Sequence, residues 1–161
     1  MNSDLREQWR VDYEQRYFNW ANIPQPRLNH IDATVDFYPQ QGIAELAFVY
    51  TLQNLTDKPI QKLLIGNYSA TTINALSLSV AHSVEADESL GQFTLTLETP
   101  LAVGDSLQMH SKLTFKQPRL WPAVLPQFVK PSLSYLRGVP LMPTIGFQWD
   151  YLLRDAELRQ N

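Results

Sequence analysis

The three histidines, His30, His82 and His110, are the side chains best suited to hold a metal, and no cysteine stands beside them. A zinc site carried on a helix needs two ligands one turn apart. None of the three has a second His or a carboxylate four residues away, and no His-Glu-x-x-His occurs. His30 and His110 fall on the polar phase of predicted strands, where a solvated ring is the simpler reading. Asp32 and Asp36 share the polar face of one such strand, and Asp150 and Asp155 flank Arg154. Paired carboxylates can do acid–base work, but a solvated face is the simpler reading of these. There is no Gly-x-Ser-x-Gly elbow to present a nucleophile. The six glycines are scattered and form no phosphate-cradling loop. Catalytic residues and metal ligands are therefore both read as none. Asn54-Leu-Thr56 and Asn67-Tyr-Ser69 match the glycosylation sequon, which matters only in a eukaryotic secretory setting. Trp121, Tyr135 and Trp149 remain as aromatics that could face a sugar or peptide ligand. The simpler reading is that they pin a proline-rich segment to a sheet.

Composition narrows the class. At 161 residues the chain is read as one domain, long enough to bury a core, and 44% hydrophobic content argues against disorder. A net charge of −3 with no Lys/Arg block argues against a nucleic-acid partner, and none is expected. No apolar run approaches the ~18 residues of a membrane span. Met1 leads into Asn-Ser-Asp-Leu-Arg with no apolar signal region, which points to a cytosolic protein or a soluble piece of a longer chain. The lack of cysteine excludes disulfides and thiolate zinc sites.

The elements that must position these residues are mostly strands. Residues 28–52 read as an antiparallel hairpin around which the rest is organised. Ile31, Ala33, Val35 and Phe37 alternate with polar neighbours, and Leu46, Phe48, Tyr50 and Leu52 do the same. Pro39 and Gly42 mark the turn between them. Further strands are predicted at 60–65, from 76 to 80, from 93 to 97 and from 107 to 116, with residues 67–72, 81–90 and 100–105 as connections. That makes six or seven strands at sandwich-like spacing. Leu46, Phe48, Leu95, Leu107 and Leu113 should face inward. Residues 3–20 read as a helix whose stripe of Leu5, Trp9, Tyr13, Tyr17 and Trp20 packs on the sandwich, or continues a helix from a preceding segment. Asn22-Ile-Pro-Gln-Pro26 stops it. After Lys116 the composition shifts: six of the eleven prolines lie between Pro118 and Pro143. This tail is read as laid over the sandwich or offered to another domain, and a short last helix is expected over 150–160. The expected fold is mainly β: an antiparallel sandwich over 28–117, preceded by a helix and lead-in (1–27) and followed by a Pro/aromatic-rich tail (118–161).

Several blocks together resemble the N-terminal β-domain of aminopeptidase N-like zinc metallopeptidases, most nearly the bacterial branch fused to an ABC-type permease. They are Asp36-Phe-Tyr-Pro39, Tyr50-Thr-Leu-Gln-Asn-Leu-Thr-Asp-Lys-Pro-Ile60, Pro100-Leu-Ala-Val-Gly-Asp-Ser-Leu107 and Pro143-Thr-Ile-Gly-Phe147, with Leu153-Arg-Asp155 behind the last. Upstream, residues 13–17 and Pro24-Gln-Pro-Arg27 look like the approach from a membrane helix in the fused branch. The resemblance spans about residues 13 to 158.

It implies a saddle-like, non-catalytic β-domain on the periplasmic or extracellular face of the bacterial inner membrane. Its partners would be a downstream catalytic domain, which would carry the zinc, and flanking transmembrane segments of the same polypeptide. The family's zinc-binding and amine-gripping motifs lie in that catalytic domain, so no cofactor and no catalytic residue are carried over here. In the family a Gln or Glu near the end of this domain lines the substrate site; residues 136–142 here, Leu-Arg-Gly-Val-Pro-Leu-Met, have neither. Leu141, Met142, Phe147 and Trp149 are the expected contacts to the neighbouring domain. The other reading is a free-standing β-sandwich that binds peptide or carbohydrate.

Overall fold

The computed structural model describes residues 3–38, 40–67, 71–116 and 141–152. Helix α1 (Ser3–Tyr17) runs into a 3-10 helix at Phe18–Asn22. The strands follow: β1 (Arg27–Tyr38), β2 (Ile43–Gln53), β3 (Ile60–Gly66), β4 (Thr71–Leu78), β5 (His82–Asp87), β6 (Gln92–Leu101), β7 (Ser106–Lys116) and the two-residue β8 (Thr144–Ile145). They pair antiparallel into two four-stranded sheets, ordered β1-β2-β7-β4 and β5-β6-β3-β8. The chain is mainly β, as its alternation predicts.

The core follows from register. Directly opposed residues of two paired strands share a face. Leu46 opposes Leu113, Tyr50 opposes Met109, and Leu52 opposes Leu107, so β2 and β7 present one continuous apolar face. Leu63 and Ile65 of β3 and Leu95 and Leu97 of β6 close on it from the second sheet. All five residues expected inward are buried. In β3 the alternation gives way to a run, because Leu63, Leu64 and Ile65 are all fully buried. Leu63 and Ile65 face the sandwich core, while Leu64 joins a second cluster with Tyr13, Tyr17, Leu90 and Phe147. A strand covered on both faces has no polar phase. Helix α1 is thus the third layer, as its aromatic stripe suggests, except that Leu5 stands 63% exposed beyond the packed part.

Four expectations need correction. The hairpin is present, with Gly42 at φ 63° in its turn. However, β1 is the sheet edge and does not organise the core; Val35 is 52% exposed and only Ile31 and Phe37 are half-buried. Residues 81–90 are not an irregular connection, since β5 pairs with β6 along its whole length. Its apolar phase is only Val84 and Ala86, both exposed, because it is an edge strand with both faces mostly wet. The strand expected from 76 to 80 is β4, which begins earlier, at Thr71 inside the expected connection, and ends at Leu78, so Val80 lies beyond it, exposed. The turn at 100–105 starts later than expected: β6 runs through Pro100 to Leu101, and the β3–β6 register shifts between Ile60 and Lys62 to accommodate it. The proline-rich stretch up to residue 140, and Leu153 to Asn161, lie outside the described residues.

Two loops are each built around one side-chain amide, buried at Asn54 and half-buried at Gln25. Asn54, fully buried, donates from Nδ2 to the carbonyls of Lys58 (2.8 Å) and Leu101 (3.0 Å). Its Oδ1 accepts from the Thr56 N–H and hydroxyl at 3.0 and 2.7 Å. A glycan on that nitrogen would break bonds the loop depends on, so the Asn54 sequon is a folding feature. At the other loop, Gln25 lies against the edge of β3. Its Nε2 donates to Lys62 O and its Oε1 accepts from Leu64 N–H, both at 2.9 Å. The side chain completes the ladder that β8, paired only with Ile65 and Gly66, leaves unfinished.

Candidate functional site

The most developed surface feature grows from α1 and residues 141–152. Leu141 is buried in the sandwich core, and the Pro143 carbonyl accepts from the Tyr50 hydroxyl at 3.0 Å. Burial raises the pKa of that phenol. After β8 the chain turns at Gly146, whose φ of 74° favours glycine; an added Cβ would also crowd Gln25 at 3.1 Å. The Gly146 N–H donates to Leu64 O at 2.8 Å. Phe147 therefore enters the second core and stacks on Tyr13, ring centroids 5.3 Å apart at 18°.

Around this pair the aromatics accumulate. Trp9, Tyr13 and Tyr17 lie four apart on α1, so they share a face. Trp9 stacks on Tyr13 at 5.3 Å, and Tyr151 meets both edge-on at 5.2 Å. Trp149 stands edge-on to Phe147 at 5.3 Å and to Phe18 at 6.3 Å. Each such pair contributes about 0.5–1.5 kcal/mol beyond its burial. The Gln148 N–H donates to Tyr13 Oη at 3.0 Å. Burial raises the Tyr13 phenol's pKa, and that hydrogen bond partly offsets it. At the outer end Phe18 and Trp149 remain 46% and 61% exposed.

A polar latch holds the helix down beside this stack. Asp87, at the end of β5, accepts from Arg16 Nη1 at 2.8 Å, Tyr17 Oη at 3.0 Å and Ser89 Oγ at 2.6 Å. Burial by itself would raise the Asp87 carboxyl. The hydrogen bonds from Ser89, Arg16, Tyr17 and the Leu90 N–H outweigh it and hold the carboxyl below its ordinary value. Burial pushes the Tyr17 phenol up, and the bond to Asp87 adds to this.

The residues picked for chemistry are not brought together. His30 and His110 both lie exposed on the outer face of their sheet, on strands separated by β2. His30 Nε2 lies 3.3 Å from the exposed Asp32. The His82 ring meets the Val80 carbonyl at 2.7 Å. Asp36 opposes Glu45 on the wet face. Among the described residues no three His, Asp or Glu side chains converge as a metal site. Asp150 is exposed, while Arg154 and Asp155 lie outside the described residues. Trp121 and Tyr135, the two possible ligand-facing aromatics, also lie outside them. Of the four expected interface residues, Leu141 and Phe147 are buried within this chain, Met142 is half-buried against the sandwich core, and Trp149 projects.

No protein-family model matches the chain, and no curated protein matches it. Its structural neighbours include M1 zinc metallopeptidases. One, from Deinococcus radiodurans, was solved with a Tyr-Ser-Ala substrate. It aligns at 13% identity and a TM-score of 0.45, over 61% of this chain and 22% of that one. Native yeast LTA4 hydrolase aligns at 11% identity and a TM-score of 0.40, over 57% of this chain and 15% of its own. The chain thus spans about a fifth of the first structure's length, and at these scores neither likeness defines a shared site.

The chemistry open to this surface is packing and stacking. Phe18 is the member that sequence reasoning missed. It lies off the four-residue stripe, and only the change from α1 to a 3-10 turn brings it beside Trp149. A change in helix type leaves no periodic signal.

Proposed function

We propose that this chain is a non-catalytic β-sandwich domain of a larger aminopeptidase N-like zinc metallopeptidase. In this reading its aromatic surface at Phe18 and Trp149 packs against a neighbouring domain of the same polypeptide. The blocks whose order resembles that family support it, together with the mainly β fold. The observation that carries the interface is Trp149: a large apolar ring, 61% exposed, braced edge-on by Phe147 and Phe18. An exposed aromatic group held rigidly forfeits little entropy on contact, and such patches mark interaction sites. Zinc and catalysis belong, in this reading, to the neighbouring domain. The finer proposal is a membrane-tethered peptidase fused to an ABC-type permease, with this domain on the outer face of a bacterial inner membrane.

The reading frame on either side tests this. Membrane spans before Leu5 and a His-Glu-x-x-His beyond Asn161 are the expected finding, and a frame with neither would overturn the proposal. A second reading draws on the same pair of rings, since exposed stacked aromatics also suit a peptide or sugar ligand. Saturable quenching of Trp149 fluorescence by a small peptide or oligosaccharide, lost in Trp149→Phe, would favour that alternative.

A further inference from the structure

Two four-stranded sheets have four edges, and three of them are guarded among the described residues. β8 is two residues long, and the Gln25 side chain caps the rest of β3. β5 is only six residues, His82–Asp87. β4 is broken by a register shift between Ile73 and Ala75. Short strands, bulges and caps are the usual defences of an edge. β1 is different. It is twelve residues long, and its one register shift, between Leu28 and His30, leaves the following stretch to Tyr38 uninterrupted. It carries no proline and no lysine.

Its core-facing phase also lacks the inward-pointing charge that protects many edges. Ile31, Ala33, Val35 and Phe37 oppose Tyr50, Phe48, Leu46 and Ala44 of β2, so they share the apolar face. Yet Ala33 and Val35 are exposed, so β1 overhangs the second sheet. We propose that β1 pairs antiparallel with β1 of a second copy of this chain across a two-fold axis, joining the two β1-β2-β7-β4 sheets edge to edge.

Charge and strand length together select the register, because a centre on Ile31, which sets His30 opposite Asp32, leaves Asp36, Phe37 and Tyr38 beyond the partner strand. Centred on Ala33, the pairing sets Ile31 opposite Val35 and His30 opposite Asp36, each twice by symmetry. Centres at Asp32, Thr34 or Asp36 would oppose Asp32 to itself, Asp32 to Asp36, or Asp36 to itself, and opposed like charges destabilise a sheet. A centre between two residues would set the apolar phase against the polar one. Centring on Val35 avoids like charges but leaves His30 and Ile31 beyond the partner strand. This interface is on a different sheet from the aromatic surface and does not depend on it.

Because the chain has no cysteine, single-cysteine variants read the register directly. Opposed antiparallel residues bring their Cα atoms within disulfide reach. Ala33→Cys should therefore form a covalent dimer under mild oxidation. Val35→Cys should not, since its two copies would sit four residues out of register, about 13 Å apart. Light scattering over a concentration series should show the mass rising from 18.5 kDa towards twice that value. Val35→Lys, at a position 52% exposed, should hold the monomer mass and melt like the unmodified chain at concentrations low enough to keep that chain monomeric. A constant monomer mass with no Ala33→Cys cross-link would overturn the proposal. Cross-linking of Val35→Cys in preference to Ala33→Cys would overturn the register. A monomer that instead pairs this edge with a strand of another protein would overturn self-association.

Discussion

Tyr13 Oη accepts the N–H of Gln148 at 3.0 Å from 135 residues away, while the Tyr13 ring stacks 5.3 Å from Phe147. That contact fixes the segment leading to Trp149 on the helix. Tyr13→Phe removes the acceptor and keeps the stack. We expect it to cost about 0.5–1.5 kcal/mol and to speed amide exchange at Gln148. Exchange at β2 should be unchanged, and equal acceleration there would mean that the hydroxyl acts on the whole fold.

The sandwich core should respond by phase. Phe48 is 4% exposed between the sheets, so Phe48→Ala should cost roughly 3–5 kcal/mol in lost burial plus cavity. Thr114 sits half-buried on the opposite phase, and Thr114→Ala should cost well under that. Denaturant melts decide this, and equal losses would contradict the register of β2 and β7.

Asn54→Ala should be costly for its size. It leaves the carbonyls of Lys58 and Leu101 and the Thr56 N–H without the partners that Asn54 supplies. The Lys58 carbonyl keeps the Thr56 hydroxyl at 2.9 Å, but the buried bond to the Leu101 carbonyl is lost outright, and a loss of about 1–3 kcal/mol is expected. Asn54→Asp should recover little, because it keeps the acceptor and loses the donor. If Asn54→Asp melted like the unmodified chain, the two carbonyls would not depend on that nitrogen.

Legibility followed burial. β2, β6 and β7 each have one wet and one dry face, so their alternation was readable. β5 gives no such signal because both its faces are mostly wet, and β1 looks more central than it is because an apolar phase does not reveal that its strand overhangs. β3 read correctly as a strand, but its doubly covered run could not say that Leu64 meets a helix. The Tyr13–Phe147 stack and the Gln25 cap join residues far apart in sequence, so no local pattern announces them. Trp149 stands out in the sequence by residue type and position, whereas Phe18 is revealed only by the geometry of a helix end.

Acid should release the helix latch. The Asp87 carboxyl is held below its unfolded value of 3.8 by its donors. A carboxylate with a depressed folded pKa contributes stability that is present above the unfolded value and lost as pH falls through the folded one. Asp87→Asn should therefore lower the melting temperature at neutral pH. It should also shrink the fall seen as the pH drops below about 5 and through the carboxyl's lowered range. An identical acid profile in the variant would place the acid sensitivity elsewhere.

The central claim is that the surface around Trp149 meets a neighbouring domain. Hydrogen exchange over residues 145–152, measured on this chain alone and within the longer polypeptide, tests it most directly. In the chain alone these amides should exchange faster than those of β2 and β7. In the longer polypeptide their protection should rise while β2 and β7 stay as they were, and Trp149→Ala should abolish the rise. Unchanged exchange at 145–152 in the longer polypeptide would contradict the account.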